Sequence, residues 1–174
     1  QVRGELTAPG EVRLIRLLPG PIERVWEFLT VPEKRARWFA DGPMELRAGG
    51  AFRLKFDQSK IAPDEAPPAG HECAGGDDGT MPGRVLRCEP PRLLSHTFAG
   101  ESEVTFELMP QGKQVLMVLT HRSRGGDLPR LPNYSAGWHT CLMQLIALLE
   151  SAPRPPFWPS HARLQPEYAK MLAR

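Results

Sequence analysis

Long apolar runs, a charge excess and paired cysteines are all missing from this chain. No hydrophobic stretch approaches the length a helix needs to cross a bilayer, and the first residues do not read as a signal peptide. The chain begins at Gln1, so its native start is left open. A formal net charge of +2, with arginine spread along the chain, gives no electrostatic footprint for nucleic acid or a membrane surface. Three cysteines, Cys73, Cys88 and Cys141, are an odd number at irregular spacing, and free thiols in a reducing cytoplasm are the simplest reading. Internal repeats are absent.

Motifs of hard chemistry are equally scarce. Ser135, His139 and Asp127 have no nucleophile elbow around them. The glycines of GGDDG (75–79) follow no predicted strand, which argues against a phosphate loop. His71, Glu72, Cys73, Asp77 and Asp78 crowd one loop, but His-x-Cys is not a zinc spacing and no second Cys or His pair is near. We therefore expect neither metal nor cofactor, and assign no catalytic residue.

What remains is an ordinary globular composition, 41% hydrophobic and 24% charged over 174 residues, enough for a single domain with a substantial core. Asn133 to Glu150 is its longest proline-free segment of helical period. Tyr134, Trp138, Cys141, Leu142, Leu145, Leu148 and Leu149 form one apolar stripe, with His139 off it and Asn133 as N-cap. Earlier, Glu11 to Leu18 reads as a strand, and Ile22, Val25, Trp26 and Leu29 share a helical face behind Pro21. Glu33 to Trp38 reads as a second short helical turn.

Strand signals follow at Met44 to Leu46, Ala51 to Phe56, Gly83 to Glu89, Leu93 to Phe98, Glu103 to Leu108 and Val115 to His121. Gln111-Gly112 turns the last pair. The expected divisions are a loose lead-in (1–10), a domain (11–150) and a proline-rich tail (151–174). In that tail Phe157 and Trp158 dock on the body or a partner, and Leu164 to Leu172 adds a helical turn or two. The segment from Asp57 to Met81 reads as one long loop. The expected architecture is α+β: six or seven antiparallel strands against a late amphipathic helix.

The runs PIERVWEFLTVPEKRARWF, GG before AFRLKF, GRVLRCEPPRLLSHTF, SEVTFELMPQGKQVLMVLTH and AGWHTCLMQL resemble the SRPBCC, or START-like, superfamily. Within it they resemble the branch named after the activator of the heat-shock-protein-90 ATPase, from about Val12 to Leu149. The resemblance implies a helix-grip fold, a curved sheet around the long final helix with a cavity between them. Members hold small apolar molecules there or act as partners of other proteins, and a few related branches are enzymes. The chain departs from the family pattern at Val31, where an Asp-Pro turn is common, and at Trp38-Phe39, where a Trp pair is frequent. A third departure is His96, which replaces a strand aromatic.

On that basis Phe52, Leu54, His96, Phe98, Phe106, Met117, His121, Tyr134, Trp138 and Leu142 are the candidate ligand-binding residues. Parity sends His96 to the inner face with Leu94 and Phe98, and His121 to the rim with Met117 and Leu119. The function expected is non-catalytic binding of a small hydrophobic molecule in the cytoplasm, with the 57–81 loop and the tail controlling access. Two alternatives stand beside it. One is a co-chaperone or regulatory interaction domain, with another protein or a second copy as partner. The other is a cyclase- or hydrolase-like enzyme using His96 or His121 with Arg53 or Arg16 nearby.

Overall fold

The computed structural model describes residues 4–69 and 78–173. Seven strands form one antiparallel sheet in the order β1-β2-β7-β6-β5-β4-β3. They are β1 (Glu5–Ala8), β2 (Glu11–Pro19), β3 (Ala51–Lys55), β4 (Thr80–Glu89), β5 (Leu93–Phe98), β6 (Ser102–Gln111) and β7 (Gln114–Ser123). Between β2 and β3 come α1 (Ile22–Thr30) and α2 (Pro32–Arg35), and a short α3 (Gln58–Ile61) follows β3. A 3-10 turn (Gly125–Arg130) leads into α4 (Leu131–Glu150), and α5 (Phe157–Leu172) packs beside α4.

Alternation accounts for the sheet. Val12, Leu14 and Leu18 of β2, Val104, Phe106 and Leu108 of β6, and Met117 and Leu119 of β7 all turn inward and are buried. The opposite parity leaves Ile15, Leu17 and Met109 exposed on the outer face. The architecture is the α+β helix grip that the motifs imply, with all seven strands present.

Several boundaries differ from expectation. The lead-in contains β1, which pairs with β2 through Glu5↔Arg13 and Leu6↔Val12. Its four residues are all exposed and carry no alternating signal. Met44 to Leu46 forms no strand; Met44 makes a single bridge to Phe52. The loop after β3 opens with α3, whose first turn Asp57 caps by accepting from the Ser59 N–H at 3.1 Å.

The long helix begins at Leu131, not Asn133. Pro132 sits in its first turn, where no N–H is required, and Arg130 holds the N-cap position. The last helix runs 16 residues, far beyond the turn or two expected.

Helix α4 is buried on nearly every side, since the sheet covers one face and α5 another. That corrects the reading of His139, which is buried against Tyr168 of α5, with Nδ1 2.9 Å from the phenol oxygen. Leu148, expected on the buried stripe, is only half-buried. A carboxylate fastens α5 in place. Glu65 accepts the backbone N–H groups of Phe157 (2.9 Å) and Trp158 (3.0 Å) and a 2.8 Å bond from Arg154, so the segment after α3 is tied to the first turn of α5.

Candidate functional site

Strand register places the inward residues in rows across the sheet. One row runs Val12–His121–Val104–His96–Val85 through β2, β7, β6, β5 and β4. The two histidines thus flank Val104, two strand spacings or about 10 Å apart. The next row is Leu14–Leu119–Phe106–Leu94, and beyond it lies Arg16–Met117–Leu108.

Over these rows Tyr134, Trp138 and Leu142 descend from α4 at helical spacing. Phe98 meets Tyr134 at 5.3 Å, His121 at 5.2 Å and Trp138 at 5.6 Å between ring centroids. Trp138 also meets Phe106 at 5.7 Å and Phe39 at 4.7 Å. Phe52 stands 5.2 Å from His96, edge to face. Gly83 makes that possible, because a Cβ there would lie 2.2 Å from a Phe52 ring atom. Leu54 and Met117 are fully buried in the same cluster.

All ten candidate residues are therefore buried, and His121 lies in the interior rather than at a rim. Phe39 belongs to the ring cluster although periodicity did not single it out. It follows the short α2, where no repeating pattern marks a face. Arg53 does not join the histidines: it is exposed on β3, on the opposite parity from Phe52 and Leu54. Arg16 does turn inward and is 6% exposed.

The hydrogen bonds fix the state of His121. Trp138 Nε1–H can only donate, and it does so to His121 Nδ1 at 2.8 Å. The imidazole proton is therefore on Nε2, which donates to Ser123 Oγ at 3.1 Å. Ser102 Oγ–H gives its proton to Asp127 Oδ2 at 2.9 Å, so the Ser123 hydroxyl donates to Ser102 Oγ, also at 2.9 Å. The Glu101 N–H completes the Asp127 carboxylate at 2.7 Å. His96 places Nδ1 2.6 Å from the Thr97 carbonyl, which makes Nδ1–H the donor and leaves Nε2 as an acceptor.

Burial drives both imidazoles toward the neutral form. His96 falls to about 4, with the Thr97 carbonyl opposing the shift and the nearby Arg35 charge adding to it. His121 falls to about 3, with His96 contributing after burial. Both shifts favour the neutral imidazole near pH 7. Arg16 is likewise pulled below its ordinary value by burial, which the Tyr168 phenol opposes. Burial pushes the Cys141 thiol up to about 12, so it is no nucleophile.

The residues of the rejected triad are bonded elsewhere. Ser135 Oγ donates to the Leu131 carbonyl at 2.7 Å, and His139 and Asp127 have the partners given above. His71, Glu72, Cys73 and Asp77 lie outside the described residues. Asp78 accepts from the Thr80 N–H and hydroxyl. Among the described residues no three His, Cys, Asp or Glu side chains are grouped to hold a metal ion. No helix among them is long and apolar enough to cross a membrane.

A protein of Bordetella parapertussis whose solution structure is known is 40% identical, covering 95% of this chain and 87% of that one, with a TM-score of 0.78. CalU16 from Micromonospora echinospora shares 24% identity over 98% of this chain and 96% of its own, at a TM-score of 0.68. A conserved protein of unknown function from Enterococcus faecalis shares 20% identity over 98% of this chain and 89% of its own, at a TM-score of 0.69. The last two show likeness of fold alone. No curated protein matches the chain. The family model for "Activator of Hsp90 ATPase homolog 1-like protein" matches residues 19–150, from the end of β2 to the last residue of α4. With the grip of strands around α4, that match makes this chain a member of the Activator of Hsp90 ATPase homolog 1-like family.

Proposed function

We propose that this protein is a non-catalytic binding module for a small hydrophobic molecule, held between the inner face of the sheet and α4. The observation that supports this reading is the cluster of rings that Phe39, Phe52, Phe98, Phe106, Tyr134 and Trp138 form from several separate elements. Among them stand two imidazoles that burial keeps uncharged. An apolar surface with a few fixed polar groups is the usual make-up of a ligand site. Affinity comes from apolar area withdrawn from water, at about 25 cal/mol per Å². His96 offers an acceptor nitrogen for orientation. Because the rings touch one another, a ligand enters by parting them, and entry is coupled to movement of α4, α5 and the segment that Glu65 ties to α5.

The test is titration with the neutral fluorophore N-phenyl-1-naphthylamine. Saturable one-to-one binding is expected, weakened about tenfold in Trp138→Ala, a loss of about 1.4 kcal/mol. Circular dichroism confirms that the variant is folded. Absence of saturable binding to the parent protein would overturn the proposal.

A further inference from the structure

Arg16 occupies the inward position between Leu14 and Leu18 on β2, opposite Met117 of β7. Its Nη1 donates to the Ile15 carbonyl at 2.8 Å. Its Nε and Nη2 are buried and meet no acceptor among the described residues. The other buried arginine is arranged differently. Arg35 leaves only Nη1 buried without a partner: it donates Nε to the Ala40 carbonyl at 3.0 Å and Nη2 to that of Gly42, and the carboxylates of Asp41 and Glu33 oppose the effect of burial on its charge. Among the described residues, only the Tyr168 phenol bears on the charge of Arg16, and that oxygen is occupied by the Gly4 N–H at 2.7 Å and by His139.

The identity of the two open donors is informative. Nε–H and Nη2–H lie on the same edge of the guanidinium and point in parallel, matching the two oxygens of a carboxylate. A buried cation without a counter-ion is costly, so a group that supplies the missing charge is strongly favoured there. Arg16 also lies on the candidate face, two rows or about 14 Å along the strand from the histidine row. The side chains between are apolar: Leu14, Leu119, Met117 and Phe106.

We propose that Arg16 receives the carboxylate of the ligand side-on, so that the bound molecule is an amphipathic acid, its head at Arg16 and its apolar body directed toward His96 and His121. This rests on the binding reading above and adds the ligand's chemical class and orientation.

The probes are decanoate and decan-1-ol, both below micellar concentration, titrated by calorimetry into the full chain and into Arg16→Met and Arg16→Lys. Two charge-assisted bonds predict that decanoate binds the parent protein at least about tenfold more tightly than the alcohol. Arg16→Met erases that preference while leaving decan-1-ol affinity within about twofold, and Arg16→Lys keeps only part of it. Arg16→Met, which removes an uncompensated cation, is expected to melt no lower than the parent. Decanoate should raise the melting temperature of the parent more than that of Arg16→Met, where its effect should fall to that of decan-1-ol, and acetate, which has the charge without the body, should raise neither. Equal binding of acid and alcohol, survival of the preference in Arg16→Met, or stabilisation by acetate alone overturns the assignment of an acid and leaves the binding module standing. Failure of both decanoate and decan-1-ol to bind the parent overturns the binding module itself.

Discussion

Trp138, His121, Ser123, Ser102 and Asp127 pass hydrogen bonds in one direction, each group giving to the next and the carboxylate receiving last. No donor in this series can be reversed, because the indole only donates and the carboxylate only accepts. Deleting a middle member leaves a buried hydroxyl without its acceptor. Ser102→Ala is therefore expected to destabilise by about 1–3 kcal/mol. Ser95→Ala, which breaks only the 3.1 Å contact with Thr105 on the other face, should cost clearly less. Urea unfolding of the two variants side by side checks this, and equal losses would mean that the series is not coupled. Ser102 shares parity with Val104 and Ser123 with His121, but both lie just outside the strands expected at Glu103 to Leu108 and Val115 to His121, so the alternation did not reach them. Nor was Asp127 readable, because it enters from a 3-10 turn that carries no period.

Among elements, α5 departs furthest from what the sequence suggests. Two prolines hid it. Pro159 falls in the first turn, where its missing N–H costs nothing, and Pro166 gives up one interior bond that packing on α4 compensates. Concealing α5 also concealed the second buried face of α4, which is why His139 read as an outward residue. By contrast, Phe52 and Leu54 on β3 and Val104, Phe106 and Leu108 on β6 alternate so regularly that strand and inner face were legible together. Whether the space under α4 admits a guest is not legible at all, since a stripe facing a ligand and one facing a solid core have the same period.

The attachment of α5 rests on Glu65. Burial pulls its carboxyl upward, but the Phe157 N–H, Arg154 and the Trp158 N–H outweigh burial and hold it below the ordinary value. Its contribution is thus complete above about pH 4.5 and lost as the pH falls through the lowered value. Glu65→Ala should cost about 1–2 kcal/mol, the usual worth of a helix cap. It should also speed amide exchange across the first turn of α5 with little change in the central strands. Unaltered exchange there would show that α5 does not depend on this carboxylate.

For the molecule as a whole, the two buried histidines add a pH dependence that begins above the range of the carboxylates. Both bind protons more readily unfolded, near pH 6.5, than folded, near about 4 for His96 and about 3 for His121. Their stabilising effect is full above pH 6.5 and declines as the pH drops toward the folded values, by about 1.4 kcal/mol per unit for each histidine. Denaturant unfolding at pH 7, 6 and 5 should show that slope. His96→Phe, which removes one group and restores an aromatic ring beside Phe52 and Phe106, should roughly halve it. A flat profile would mean that the imidazoles are charged or solvated in the native state.

The hydrogen bond from Gly4 N–H to the Tyr168 phenol, 2.7 Å long, spans 164 positions of sequence. It ties the residue just ahead of β1 to α5, so the outermost strand of the sheet is fastened to the helix that packs beside α4. Peeling β1 from the sheet edge therefore sacrifices a contact on α5, and displacing α5 sacrifices one at the sheet edge.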